Sequence, residues 1–229
     1  MTSPSAKKLT LIIALISLSA CASTPAITAR SVTPDKEQML AARQEEASSF
    51  PLSESENGIK GRIVLLGPSL RIVDQDERVL KSFRISGRDR RLSRVVGNWS
   101  GGPIYFISGD ESIGFGSYNG IMTQLFQVMD GHLHWVMAEN SSGKEQVHLM
   151  KSLKTHWRAE ISSNQSTLDV FKVACRPDFA KSTDSDPKFT VSYIRYHFDG
   201  KSWQTLAKTE EGFWEHEDDS NFPGKQLFP

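Results

Sequence analysis

Two stretches decide the fold class: Leu125-Phe-Gln-Val-Met-Asp130-Gly131-His-Leu-His-Trp135 and Ile194-Arg-Tyr-His-Phe-Asp199-Gly200-Lys-Ser-Trp203. Each sets Asp-Gly between runs in which apolar and polar residues alternate. A period of two sends successive side chains to opposite faces of a strand. Asp-Gly supplies the positive φ angles of a type I′ turn. Both stretches therefore predict antiparallel hairpins. In the second, Ile194, Tyr196 and Phe198 share one face, with Tyr193, Arg195 and His197 on the other.

Working outward, short runs of Ile, Val, Leu, Phe, Tyr and Trp begin at about Gly58 and alternate with Gly, Asp, Asn and Ser. They predict further strands at Arg62–Leu66, Leu70–Asp74, Val79–Ile85, Pro103–Ser108, Ile121–Met129, His132–Met137, Ser166–Ala174, Phe189–Phe198 and Ser202–Lys208. No long amphipathic helix competes with them. The expected class is all-β, with antiparallel hairpins forming a sandwich, a barrel or a partial propeller-like domain over residues 58–229. The pattern Tyr196-His-Phe-Asp-Gly-Lys-Ser-Trp203 is similar to blade hairpins of several propeller families. Its counterpart lies 69 residues earlier, from Asp199 back to Asp130, farther than the roughly 45 residues that separate adjacent blades.

Residues 21–57 read differently. They are rich in Ala, Ser, Thr, Glu and Pro and poor in large apolar groups. Such a stretch buries too little surface to fold alone and reads as a tether. One short helix is expected inside it, running to Glu46. Thr33 would cap it, Pro34 would take the first helical position, and Asp35 and Glu37 would suit its positive end.

The first twenty residues read as a signal peptide. Lys7 and Lys8 precede the apolar run Leu9-Thr-Leu-Ile-Ile-Ala-Leu-Ile-Ser-Leu18. A helix of about ten residues rises about 15 Å, half the hydrocarbon core of a bilayer, so the run targets the chain and does not span. The first acidic residue is Asp35, which leaves the basic end unopposed. The run ends Leu18-Ser19-Ala20-Cys21. This resembles the lipobox of bacterial lipoproteins: an aliphatic residue, two small residues and a cysteine. The resemblance implies cleavage before Cys21, acylation of its thiol and amine, and a membrane held through that residue. Two or three acyl chains anchor stably where one holds only marginally. Ala22, not Asp, follows the cysteine. In the sorting pattern of enteric lipoproteins this implies the periplasmic face of the outer membrane in preference to the inner membrane. Secretory cleavage near Ala20 or Ala22, with Cys21 incidental, is the alternative.

After Cys21 stand 208 residues, enough for one domain and thin for two. Twenty-seven basic residues cancel twenty-seven acidic ones. That balance argues against a general nucleic-acid binder. The chain has two cysteines. With Cys21 acylated, Cys175 has no partner in the chain, so no internal disulfide is expected. Following Asp-Val-Phe-Lys-Val-Ala174, Cys175 reads as a small buried hydrophobe on a strand; a nucleophile is the lesser reading.

Catalytic signatures are near misses. Gly114-Phe-Gly-Ser-Tyr-Asn-Gly120 has neither dinucleotide spacing nor a Gly-x-Ser-x-Gly elbow, and reads as a turn-rich loop. His132 and His134 point the same way on a strand, without further metal ligands at telling spacing. Glu210–Asp219 concentrates carboxylates without an EF-hand pattern. No catalytic residue, cofactor or metal is assigned. The charge distribution says more. Arg84, Arg88, Arg90, Arg91 and Arg94 fall within eleven residues, opposed only by Asp89. The last thirty residues carry three lysines and six carboxylates. Either the two regions neutralise each other or are simply solvated, or the arginines form a basic patch for an anionic partner: a phosphorylated head group, a cell-wall polymer or an acidic protein.

The function expected is a lipid-anchored, periplasm-facing envelope protein that binds without catalysing. Its partners would be the membrane through Cys21, and a protein or an anionic envelope component. The alternatives are an immunity or inhibitor protein against a periplasmic toxin or hydrolase, and an envelope enzyme with dispersed active-site residues.

Overall fold

The computed structural model describes residues 39–112, 116–215, 222 and 228. The leader, Cys21 and the start of the expected helix lie outside the described residues. Three strands come first: β1 (Met39–Ala41), β2 (Glu45–Glu46) and β3 (Ser49–Leu52). A helical turn follows, α1 (Glu54–Asn57), and then β4 (Gly61–Leu66), β5 (Ser69–Asp74) and β6 (Val79–Arg84). The middle of the chain forms β7 (Arg88–Val95), β8 (Ile104–Asp110), β9 (Ile121–Met129) and β10 (His132–Trp135). Three short strands come next, β11 (Met137–Asn140), β12 (Gly143–Gln146) and β13 (His148–Lys151). The last four are β14 (Thr155–Ser162), β15 (Leu168–Pro177), β16 (Phe189–Phe198) and β17 (Trp203–Glu211).

The strands build three successive antiparallel meanders: β3-β4-β5-β6, β7-β8-β9-β10 and β14-β15-β16-β17. Each is the heart of one sheet. Strand β2 extends the second sheet beside β7, β13 pairs with β9, and β1 extends the third sheet beside β14. Beyond β17 the third sheet continues with β11, which runs parallel to it, and β12. Among the described residues no sheet closes into a barrel, and the fold is an all-β, sandwich-like stack. The segment β11–β13 stands between the second and third meanders. That insertion explains why the two Asp-Gly hairpins, which both join the last two strands of a meander, are so far apart in sequence.

Alternation assigns the layers. In β8, Ile104 and Phe106 join a buried cluster with Trp157, Val170, Tyr196 and Phe198 of the third sheet. Their neighbours Tyr105 and Ile107 join Phe50, Ile63, Leu70 and Ile72 of the first sheet. The second sheet is therefore covered on both faces. This is why Ile104-Tyr-Phe-Ile107 is an unbroken apolar run where half-buried strands alternate. Phe106 stacks on Trp157 at 5.7 Å and Tyr105 on Phe126 at 5.2 Å.

The composition of residues 21–57 reads as a tether, but the described part of this stretch, residues 39–57, is built into the sheets. Strand β1 pairs with β14, β2 with β7 and β3 with β4. The segment thus runs past the first strands of the later two meanders and supplies the first strand of the earliest. Ala42 N–H donates to Ala159 O at 2.9 Å, and Ala47 N–H to Leu92 O at 3.1 Å. The helix expected through Glu46 is absent from residues 39–46, which are strands and connections. Propensity lost there to pairing with open sheet edges. Among the described residues the one helical turn lies later, at α1, where Asn57 is fully buried and its Nδ2 donates to Val128 O at 2.8 Å. Gly58 closes that turn at φ +68°, and a Cβ there would meet Asp130 at 2.6 Å.

The two hairpins differ in their turns. Asp130 and Gly131 both have positive φ, +50° and +69°, as a type I′ turn needs. At the second, Gly200 alone has positive φ. Asp199 instead turns its carboxylate onto the backbone: Oδ1 accepts from the N–H groups of Lys201 and Ser202, both at 2.8 Å. The expected face of β16 is observed, with Tyr196 and Phe198 buried in the core and Ile194 packed against it.

Candidate functional site

The fold separates the five arginines. Arg88, Arg90, Arg91 and Arg94 lie on β7, whose register shifts between Arg88 and Arg91, with Asp89 at φ +42°. Such a bulge bends an edge strand and re-aims its side chains. Arg94 Nε donates to Glu45 Oε2 at 2.8 Å, and its guanidinium lies 4.6 Å from the Phe50 ring centre. Arg91 reaches Glu46 at 3.9 Å and Arg88 reaches Asp110 at 3.4 Å. Arg90 Nε donates to Ile85 O at 2.9 Å. The carboxylates opposite Arg91 and Arg94 come from β2, not from the acidic C-terminal region.

Arg84 belongs to a different surface. On β6 it stands opposite Ser69, and Ser82 stands opposite Arg71. Ser69 and Arg71 alternate along β5 with Leu70 and Ile72, which are fully buried, so both point away from the core. Arg71 Nε donates to Ser69 Oγ at 3.3 Å, and Ser69 Oγ lies 2.8 Å from Ser82 Oγ. Among the described residues neither Arg71 nor Arg84 has a carboxylate within ion-pair distance. Val64 and the exposed Leu66 border them on β4. The outer face of the first sheet thus carries two guanidinium groups with two hydroxyls between them. Such a set can hold one anionic group with charge-assisted hydrogen bonds. A shallow groove of about 380 Å³ lies apart from this set, lined by Glu46, Arg90 and Arg91 together with Leu65 and Gly67.

Arg71 was not singled out in the sequence because it stands outside the arginine run. The alternation of Ser69-Leu-Arg-Ile72 was the signal that could have found it. The other residue missed is Asp169, 1% exposed on β15. Arg195 of β16 grips it with two hydrogen bonds, Nε to Oδ1 at 3.0 Å and Nη2 to Oδ2 at 2.8 Å. His197 Nδ1 lies 2.7 Å from Oδ1. Burial pushes the Asp169 carboxyl upward, but the hydrogen bonds from His197 and Arg195 and their charge outweigh it and hold the group below the usual carboxylate range. Every oxygen of this carboxylate is engaged by a neighbouring strand, so its chemistry is structural. A charge inside the apolar run Leu168-Asp-Val-Phe171 was the signal.

Cys175 is a free, fully buried thiol, packed with Phe171, Val173, Val191 and Phe222, as expected of a small hydrophobe. His132 and His134 are both exposed on β10, and His132 Nδ1 lies 2.7 Å from Asp130 O. Among the described residues no group of metal-ligating side chains gathers, and no helix is long and apolar enough to cross a membrane. Gly114 and residues 216–219 of the acidic run lie outside the described residues. The chain matches no protein-family model, no curated protein and no solved structure.

Proposed function

We propose that this chain is a lipid-anchored envelope protein that works by binding, without chemistry, and that its ligand is an anionic group of an envelope component. One observation carries the binding half of this reading. Arg71 and Arg84 stand together on the outer face of the first sheet with Ser69 and Ser82 between them, unpaired with any described carboxylate. The address rests on Leu18-Ser-Ala-Cys21. Arginine suits the task because its planar fork matches phosphate and carboxylate oxygens two at a time.

Titration of the full chain, in detergent, with fluorescent inorganic polyphosphate tests this. Binding is expected to weaken as salt rises. Arg71→Ala and Arg84→Ala are each expected to lower affinity about tenfold, the loss of one charge-assisted hydrogen bond. Arg91→Ala, which removes an arginine already facing Glu46, is expected to change it far less. Salt-independent binding, or equal losses for Arg84 and Arg91, would count against the site.

A further inference from the structure

The open edge of β17 is a second surface, independent of the arginine face. Strand β17 pairs with β16 along its whole length, but β11 covers its other side only at Trp203 and Gln204. From Thr205 to Glu211 no described residue pairs with that side. Hydrogen bonding alternates along an antiparallel pair. The bond from Gly212 N–H to Phe189 O, at 3.1 Å, sets the phase. Residues 206, 208 and 210 therefore bond to β16, and Thr205, Ala207, Thr209 and Glu211 turn their N–H and C=O groups outward. Leu206 is half exposed beside them.

The side chains along this edge select one partner. We propose that a second copy of this chain adds its own β17 antiparallel to this edge, in a register centred on Thr209. Thr209 then faces Thr209 of the other copy, and Ala207 faces Glu211, closing backbone bonds at these three positions and leaving Thr205 outside the seam. Lys208 falls opposite Glu210 on both sides of the two-fold axis. Within one chain Lys208 and Glu210 already form an ion pair with each other, so both project to the same face of the sheet. Dimerisation exchanges that pair for two crossed ones. Other registers fit less well. Centring on Ala207 sets Trp203 and Gln204, already held by β11, into the seam, and centring on Glu211 opposes two like charges directly. The pairing is symmetric and closes on itself, so it stops at a dimer. A seam this short lies at the small end of specific interfaces, so the dimer is expected to be reversible and concentration-dependent.

The test uses the full chain in detergent, followed by sedimentation equilibrium and by disulfide cross-linking. Paired Cα atoms in a bonded antiparallel pair lie about 5.5 Å apart, within disulfide reach. Thr209→Cys is expected to give a covalent dimer on oxidation, and Ala207→Cys none with itself. Thr209→Pro is expected to abolish association while leaving the circular dichroism spectrum intact, because the Thr209 N–H makes no bond to β16. Lys208→Glu and Glu210→Lys are each expected to weaken association about tenfold, and the double variant to restore it. A monomer at all concentrations, self-cross-linking at Ala207, or a Thr209→Cys adduct with a different protein would each overturn the proposal. So would a dimer that survives Thr209→Pro.

Discussion

A chain beginning at Gly58 is expected not to fold cooperatively, although every strand read directly from the sequence lies beyond that point. It lacks β3, whose Phe50 and Leu52 are 2% and 3% exposed in the core between the first two sheets. Removing even one such side chain costs about 3 kcal/mol, against a total stability of about 5–15 kcal/mol for a domain. It also lacks the pairing of β1 with β14 and of β2 with β7. A chain beginning at Ser48 separates these contributions. It keeps β3 and is expected to fold, with a lower melting temperature than a chain beginning at Glu37. Thermal melts followed by circular dichroism distinguish the three. Equal cooperative transitions for the chains starting at Glu37 and Gly58 would show that residues 39–57 only decorate the sheets.

Replacing Asp169 by alanine is the second large effect expected. It leaves the Arg195 guanidinium half-sunk between strands without its counter-ion, and His197 without its acceptor. Breaking a buried pair from one side costs about 3 kcal/mol. Urea unfolding should show that loss in the midpoint with an unchanged slope. The same carboxylate makes stability depend on pH. Its folded pKa lies below that of an unfolded aspartate, so acid protonates the unfolded chain first. Its contribution is complete above about pH 5, declines as pH falls through about 4, and is gone once the folded carboxylate is itself protonated. Asp169→Asn should therefore lose less stability than the unaltered protein between pH 5 and 3. Parallel pH profiles would mean that Arg195 and His197 add nothing to the carboxylate's folded state.

What the sequence made legible follows the strength of its periodicity. Ile121–Met129 and Phe189–Phe198 are strands over the very ranges predicted, because long alternating runs beside Asp-Gly leave little freedom of register. Strand β7 was missed because four arginines mask its short apolar content, Leu92 and Val95. Strand β14 was missed although Trp157, Ala159 and Ile161 alternate with His156, Arg158 and Glu160. The early strands β1 to β3 are only two to four residues long, too short to show a period, and β1 forms by completing a sheet whose partner strand lies about 120 residues away. No local pattern records such partners. The arginine run shows the same limit. Adjacency in sequence suggested one patch, but the turn at Ser86-Gly87 sends Arg84 to the first sheet and its neighbours to the second. Glu45 and Glu46, remote in sequence, then occupy two of those neighbours.

The function proposed for this protein depends first on acylation of Cys21. Labelling of bacterial cells with a radioactive fatty acid, followed by isolation of the chain, measures this directly. The unaltered chain is expected to carry the label and to sediment with membranes, and Cys21→Ala to lose both. Label that persists in Cys21→Ala, or an unaltered chain that is secreted without label, would contradict the anchor.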